Sequence, residues 1–239
     1  MDVSGLPDSL GLPATSLEAD APQIAGLSLG GGWVARVLLR PKNARPVPGL
    51  NGAVLTRESW LDWLSQPLRW FPPADKRNIL KTSSTTLVGR AHLPLTSGGQ
   101  LDVVCKRRAP RQLYKRLLAM VRISRPRRTW QRATALLDAN IPTARPLAII
   151  ERRRFGLLVD SLIITEYLDS AVDLESLLTV RMRTLTGAQN RRLKHELCDA
   201  MAGFILRLQN AGFVHRDFKA LNVIVQWDPA AAERPRITV

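Results

Sequence analysis

The stretch from His215 to Asn222, His-Arg-Asp-Phe-Lys-Ala-Leu-Asn, constrains the fold of this chain more than any other segment. Asp217 and Asn222 stand five residues apart, so one tight loop can present a carboxylate to a hydroxyl group and an amide oxygen to a metal ion. A hard cation such as Mg²⁺ takes oxygen ligands in near-octahedral geometry. Lys219 can offset the negative charge of a transferring phosphoryl group. The spacing therefore predicts a loop built for phosphoryl transfer.

A helix and a strand frame this loop in the sequence. Thr186 and Gln189 form a capping-box pattern, after which apolar residues recur at helical spacing until Gly212. These apolar residues are Leu193, Leu197, Met201, Phe204, Ile205 and Leu208. A strand is predicted at residues 223–225 and the opening of a second strand at residues 236–239. The alternative, an ordinary polar turn at a helix end, does not explain this ordered framing.

The loop and its flanks resemble the eukaryotic-type protein kinase fold, and more closely the bacterial lipopolysaccharide kinases that phosphorylate heptose or Kdo sugars of the core. The likeness extends from Lys76 to Val239 and implies an α+β fold in two lobes, strand-rich first and helical second. It implies Asp217 as base and acceptor orienter, Asn222 as magnesium ligand and Lys219 as charge stabiliser. In that fold an Asp-Phe-Gly-like segment with a second metal-binding Asp comes next, so the chain looks like a fragment that stops before it.

Three strands are predicted ahead of this region, at residues 79–80, 87–88 and 101–106, with Gly98-Gly99 in the turn between the last two. Lys106 ends the third strand. The resemblance implies that it holds the α and β phosphates of ATP. The alternative is an ordinary strand-end lysine beside Arg107 and Arg108.

The turn that would cover the phosphates departs from the glycine-rich pattern. If Val88 takes the valine place of that pattern, Lys81, Ser83 and Thr86 stand where glycine is expected. Side-chain hydroxyl groups and one positive charge can replace the backbone donors. The residues concerned are Lys81, Ser83, Ser84, Thr85 and Thr86. A polar hairpin turn is an equally good interpretation.

The next helix is predicted from a Ser124 cap to about Ala139, and it carries no Glu. Kinases place a Glu there to pair with the ATP-binding Lys. Trp130 or Gln131 stands near the expected position, so the partner of Lys106 is not identified. A basic turn is predicted at residues 152–154. In the fold resembled, backbone groups from Glu166 to Leu168 bind the adenine edge.

The net charge of +15 requires an acidic partner. Lys106 to Arg132 contains no Asp or Glu, and Leu113, Leu117, Leu118 and Val121 recur at helical spacing within it. A basic amphipathic helix of this kind can lie on an anionic membrane surface; packing on the domain, with solvated charges, is as good an interpretation. Nucleic acid is disfavoured because no aromatic platform accompanies the tract.

The organisation predicted along the chain has four parts. Residues 1–28 form a disordered leader, 29–75 an N-terminal extension, 76–169 the strand-rich lobe and 170–239 part of the helical lobe. The two cysteines, Cys105 and Cys198, fall in apolar elements and are expected to be buried thiols. With no long apolar run and no basic N-terminal segment, we expect a cytoplasmic protein, at most peripheral at the inner face of the membrane.

These observations predict an ATP- and Mg²⁺-dependent kinase acting on a hydroxyl group of a lipopolysaccharide core sugar or lipid-linked sugar. Protein Ser/Thr phosphorylation is the rival substrate class. A catalytically inactive kinase-like membrane adaptor or scaffold is the alternative of a different class, because of the altered phosphate turn, the missing helix Glu and the second metal-binding Asp that the chain lacks. The sequence leaves the oligomeric state open.

Overall fold

A computed structural model describes residues 23–40, 50, 53–65, 71, 75–83, 86–95, 98–108, 124–214, 218–228 and 234–239. Its strands are β1 (Gln23–Gly30), β2 (Trp33–Leu39), β3 (Ile79–Thr82), β4 (Thr86–Pro94), β5 (Gln100–Arg108), β6 (Pro146–Arg154), β7 (Leu157–Glu166), β8 (Ala171–Asp173), β9 (Ile224–Gln226) and β10 (Arg236–Thr238). Its helices are α1 (Arg57–Leu64), α2 (Arg125–Asp138), α3 (Leu174–Thr179) and α4 (Gly187–Asn210).

The strands form two sheets. A seven-stranded sheet has the order β1-β2-β6-β7-β5-β4-β3, and a three-stranded sheet has the order β10-β9-β8. Every neighbouring pair is antiparallel. The large sheet precedes α3 and α4 in the chain, so the predicted α+β class with a strand-rich part before a helical part is confirmed.

The first two strands differ from the predicted organisation. β1 begins at Gln23, inside the predicted leader 1–28, and β2 pairs with β6 in the large sheet. The boundary at residue 28 therefore cuts a strand, and residues 29–75 do not form a separate extension, because β2 and α1 share the sheet's hydrophobic core. Inward residues Ala25, Leu27 and Leu29 alternate with Gly26 and Ser28, whose weak strand propensity hid the pattern. Residues 1–22 lie outside the described part.

The side chains of β5 alternate between the two faces of the sheet. Val103 and Cys105 are buried in a core that also holds Trp60 of α1, whose Nε1 donates to the Leu38 carbonyl at 2.9 Å. Lys106 points to the opposite face. The position of Lys106 in the strand thus fixes which side of the sheet can receive a ligand.

The second hydrophobic core lies under α4. Leu193, Leu197, Phe204 and Leu208 are buried there, with residues of β9 and β10. The predicted capping box of Thr186 and Gln189 is present, and Gly212 has φ +74°, as expected of a helix stop. Two inward assignments are wrong: Ile205 and Cys198 are exposed, because each follows a buried residue by about 100° around the helix. Cys105 is buried as predicted.

The segment between α2 and β6 joins the two cores. Asn140 takes a left-handed φ of +55° and donates its N–H to the Leu137 carbonyl at 2.9 Å, which ends α2. Ile141 is then only 1% exposed and packs in the core under α4. The N–H of Val239 donates to the Pro142 carbonyl at 3.4 Å. One short segment therefore connects the strand-rich part to the helical part.

No helix among the described residues has both the length and the apolar character needed to cross a bilayer.

Candidate active site

The loop predicted to carry the chemistry is described from Phe218 onward. Residues 215–217, which include Asp217, lie outside the described part of the chain. The ring of Phe218 stacks on that of Phe204 in α4, with 6.4 Å between centroids and 15° between planes. The buried helix thus fixes where the loop resumes. Lys219 follows and is exposed to solvent.

Asn222 ends a short 3-10 turn formed by residues 220–222. Its N–H donates to the Lys219 carbonyl at 2.8 Å, and its side chain is half-buried. Val223 is buried, and its carbonyl accepts the N–H of Leu174, the first residue of α3, at 2.8 Å. Asp173 caps that helix by accepting the Ser176 N–H at 2.9 Å. The downstream half of the loop is therefore anchored to α3 and β9.

Lys106 lies in a row of side chains that crosses three strands. It is paired with Val88 of β4, and Val88 is paired with Lys81 of β3. Directly paired residues project from the same face of a sheet, so the two lysines lie on one side. Although the Lys106 ammonium remains in contact with solvent, nearby protein atoms lower its pKa, and the charges of Arg108 and Lys81 lower it further.

The charge of this row is not offset within the sheet. Among the described residues, the side chain of Lys106 forms neither an ion pair nor a hydrogen bond. Two mutually repelling cations beside a third, Arg108, favour binding of a polyanion that neutralises all of them. The placement of Lys81 and Lys106 on one face of the sheet is therefore electrostatically consistent with the prediction that both contact the phosphates of one ligand.

The turn between β3 and β4 is closed by its own side chains. Ser83 donates its N–H to the Thr86 carbonyl at 2.8 Å, and its Oγ accepts the Thr86 N–H at 3.1 Å. Ser84 and Thr85 lie outside the described residues. The Ser83 hydroxyl thus shapes the turn, as the polar-hairpin interpretation requires, and its role as a phosphate donor stays a prediction, as does that of Thr86.

The helix–sheet ion pair has its acid on the sheet. Glu151 of β6 is in register with Ser161 of β7, and Ser161 with Arg108 of β5, so Glu151 projects from the Lys106 face. Arg127 of α2 lies 3.2 Å from Glu151 Oε2, and Arg153 lies 3.5 Å from it. The Glu151 side chain is only 4% exposed, and its Oε1 has no hydrogen-bond partner among the described residues.

This ion pair does not involve Lys106, which has no carboxylate partner among the described residues of α2. The two residues near the expected position of the helix Glu are Trp130, which is buried, and Gln131, which is exposed. Neither side chain carries a carboxylate that could pair with Lys106. The sequence did offer one signal for Glu151: it directly follows the apolar run at residues 147–150. An acidic residue in such a position is expected to be buried, and a buried carboxylate needs a cationic partner. The predicted basic turn at residues 152–154 is wrong: these residues end β6, and the turn is formed by Phe155 and Gly156.

The segment predicted to bind adenine follows β7. Glu166 donates its N–H to the Arg145 carbonyl at 3.0 Å and accepts the Arg145 N–H on Oε1 at 2.8 Å. Burial raises the pKa of Glu166, and the Arg145 contacts only partly oppose this. Leu168 is half-buried, and within the described part of the chain its backbone groups make no hydrogen bond. The Leu168 backbone is therefore available to a ligand.

A polar cluster that sequence reasoning missed braces this segment. The carboxylate of Asp102 accepts hydrogen bonds from Arg90 and is bonded to Nδ1 of His92. Arg90 also lies 4.2 Å from the centroid of the Tyr167 ring. Burial raises the pKa of Asp102, but the hydrogen bonds to Arg90 and His92 outweigh it, so the pKa lies below its ordinary value. The cluster fixes Tyr167, between Glu166 and Leu168, against β4 and β5.

Comparison with known families decides where this arrangement belongs. The family described as lipopolysaccharide kinase (Kdo/WaaP) matches residues 62–237, which is well over half of the chain. The chain belongs to the lipopolysaccharide kinase (Kdo/WaaP) family. The match includes both the Lys106 strand and the whole loop from His215 to Asn222.

Several solved structures share part of this fold. A structure of WaaP in complex with acyl carrier protein is 23% identical, with a TM-score of 0.44, and the match covers 68% of this chain and 58% of that chain. The kinase domain of maize SIRK1 bound to AMP-PNP is 16% identical, with a TM-score of 0.35 and coverage of 67% and 49%. A glucosamine kinase is 17% identical, with a TM-score of 0.29 and coverage of 80% and 45%.

The chain thus spans about half the length of each of these structures. No curated protein matches it.

Proposed function

We propose that the protein to which this chain belongs is an ATP-dependent kinase that transfers the γ-phosphoryl group to a hydroxyl group of a lipopolysaccharide core sugar. The observation that carries the proposal is the family match, because it extends over the Lys106 strand and the complete loop from His215 to Asn222. Lys106 and Lys81 would hold the phosphates of ATP. The Leu168 backbone would bind the adenine edge.

The residues fit a nucleotide for an electrostatic reason. Lys106 and Lys81 share one face of the sheet with Arg108, and the described residues offer Lys106 no carboxylate. A triphosphate would supply the missing negative charge, and the pKa of Lys106 would rise toward its ordinary value when it binds. The apolar Val88 lies between the two lysines and could contact the base or ribose.

In the loop, Asp217 would orient the acceptor hydroxyl and take its proton, and Lys219 would offset charge on the phosphoryl group. Asn222 would hold Mg²⁺, which neutralises charge on the phosphates when bound. Among the described residues no three His, Cys, Asp or Glu side chains cluster as a metal site. Mg²⁺ is usually held by few protein oxygens and by the phosphates of the nucleotide.

The test is the pair Asp217→Ala and Asp199→Ala in the full-length protein. Asp199 is an exposed acid on α4 and serves as the matched control. Consumption of ATP with Mg²⁺ and lipopolysaccharide core acceptor should fall by about 10²–10⁴-fold in Asp217→Ala and stay unchanged in Asp199→Ala. Equal activity of both variants would remove Asp217 from the mechanism.

A second candidate is an inactive kinase-like adaptor, favoured by the Ser/Thr-rich turn and by the lack of a carboxylate partner for Lys106 among the described residues. A nucleotide stabilises a folded protein only if that folded state binds it. A rise in Tm with ATP but no phosphoryl transfer to sugar or protein would favour the adaptor. Transfer to protein Ser or Thr in preference to the sugar would favour a protein kinase.

A further inference from the structure

The turn between β6 and β7 presents an apolar side chain that none of the described residues covers. Phe155 is 97% exposed and has φ +50°, followed by Gly156 with φ +76°. The left-handed region is unfavourable for a bulky side chain, and full exposure forfeits the free energy that burying an aromatic ring provides. Phe155 therefore contributes no packing that would explain its presence in this turn.

The turn lies at the most basic end of the large sheet. β6 ends at Arg154, which is paired with Leu157, the first residue of β7, and β5 ends at Arg108, which is paired with Ser161 four residues further along β7. The first turn of α2 is joined to the same end by the Arg127–Glu151 ion pair. The arginines gathered here are Arg107, Arg108, Arg125, Arg127, Arg128, Arg152, Arg153 and Arg154.

The carboxylates near these arginines are buried and already engaged. Asp160 accepts two hydrogen bonds from Nε and Nη2 of Arg107, at 3.1 and 2.7 Å to its Oδ2, and Glu151 is paired with Arg127 and Arg153. Arg154 is exposed, as are Arg125 and Arg128. The outer surface of this end is therefore cationic, with the Phe155 ring beside its charges.

The tip is held by a second hairpin. Arg153 donates its N–H to the Gly32 carbonyl at 2.9 Å, and Arg152 lies 5.5 Å from the centroid of the Trp33 ring. A Cβ on Gly32 would come within 2.3 Å of the Arg153 carbonyl oxygen, so glycine is required for this contact. The β1–β2 turn thus fixes the end of β6 and the position of Phe155.

We propose that this end of the sheet, residues 152–156 with the first turn of α2, docks on an anionic lipid bilayer. Arginines attract the negative headgroups, and an aromatic ring inserts at the boundary between headgroups and acyl chains. The basic tract at residues 109–123, for which the sequence predicts an amphipathic helix, lies outside the described residues. A nucleic acid would use the same charges but needs no single exposed ring. This inference goes beyond the proposed function and does not depend on catalysis.

The experiment compares two adjacent pairs of residues in the full-length protein. The variant Arg154→Ser/Phe155→Ser removes an exposed arginine and the exposed ring. The control Val180→Ser/Arg181→Ser removes an exposed arginine and a valine that is 63% exposed, from the helical part. Binding is measured by sedimentation with phosphatidylcholine vesicles, with and without phosphatidylglycerol, at low and high salt. Circular dichroism verifies that both variants are folded.

We expect the unaltered protein to bind vesicles that contain phosphatidylglycerol and to release them at high salt. The Arg154/Phe155 variant should bind at least about tenfold more weakly, and the Val180/Arg181 control should bind like the unaltered protein. Equal binding of both variants would overturn the proposal. So would equal binding to vesicles without phosphatidylglycerol, or a salt-sensitive affinity for DNA or RNA that is lost with Arg154 and Phe155 while vesicle binding is absent.

Discussion

Glu166 is a buried acid with one satisfied oxygen. Its Oε1 accepts the Arg145 N–H, whereas its Oε2 has no hydrogen-bond partner among the described residues. Burial raises its pKa above the ordinary value of 4.5. The folded chain therefore binds a proton at Glu166 more tightly than the unfolded chain does. Stability contributed by this group is complete below 4.5 and is lost as pH rises through the higher pKa of the folded state.

Replacing Glu166 by Gln should remove this loss of stability. The amide keeps an oxygen for the Arg145 N–H and carries no charge to bury, so we expect a higher Tm than the unaltered protein at neutral pH. The Tm should also vary less with pH just above 4.5. Thermal unfolding across this range is the measurement, with Glu175→Gln in the first turn of α3 as the control. A lower Tm for Glu166→Gln at neutral pH would mean that the charge is stabilising.

Individual site residues differ in how far the sequence alone predicts them. Asp217, Lys219 and Asn222 are predicted from one short loop, and Lys106 is predicted from its place at the end of an apolar strand, although β5 continues to Arg108. Asp102, Arg90 and Tyr167 come from β5, β4 and the segment after β7, and only the pairing of strands brings them together. Register across strands leaves no local pattern in the sequence, so this cluster was not predictable.

At the scale of elements, an ion pair attaches α2 to the sheet, but its charges are placed the other way round from those of the helix Glu and strand Lys in protein kinases. The helix contributes the cation, Arg127, and the strand contributes the acid, Glu151. Arg153 lies near the same carboxylate oxygen. Because Glu151 is almost fully buried, the two arginines also neutralise a charge that would otherwise oppose folding.

Breaking this pair should cost more than removing a surface ion pair. Arg127→Gln together with Arg153→Gln leaves the buried Glu151 carboxylate without its cationic partners, so we expect a loss of about 3–5 kcal/mol in the free energy of unfolding. In a double-mutant cycle, Arg127→Gln and Glu151→Gln should couple by about 0.5–3 kcal/mol. Arg128→Gln is exposed on the same turn of α2 and should not couple to Glu151→Gln. Urea unfolding measures all of these, and equal coupling for the two arginines would contradict the assignment.

Elements with local signals were predicted closely. Ser124 caps α2 and the capping box begins α4, as predicted. β1 lacked such a signal because glycine and serine interrupt its apolar residues. Residues 152–154 were predicted as a turn because three consecutive arginines suggest an exposed segment. They instead form the last three residues of β6, where the strand becomes progressively more exposed.

At the scale of the whole molecule, Ile141 connects the two cores. It follows α2 directly but packs among residues of α3, α4 and β9. Ile141→Ala should lower the free energy of unfolding by about 2–5 kcal/mol through the cavity that it leaves. We also expect calorimetry to show a larger difference between the unfolding temperatures of the strand-rich and helical parts in this variant than in the unaltered protein. Ile205→Ala, an exposed position on α4, is the control and should change little. A single unshifted transition in Ile141→Ala would contradict this role.

The two-part architecture was predictable because a helix–loop–strand motif and a run of strands stand in a recognisable order. The extension of the large sheet was not, because β2 pairs with β6, more than a hundred residues later in the chain. Pairing over that distance depends on the packing of the complete sheet and leaves no trace in a short window of sequence. The basic end of the sheet is likewise a product of topology, since its arginines come from separate segments.

The seating of α2 bears on control of the reaction. In protein kinases, an activating signal moves the corresponding helix and so completes or breaks the bond between its Glu and the ATP-binding Lys. Here the carboxylate that pairs with α2 belongs to Glu151 of β6, so a movement of α2 would not act on Lys106 through an ion pair. Under the proposed kinase function, the position of the Lys106 side chain would therefore depend on β5 and its neighbouring strands rather than on α2.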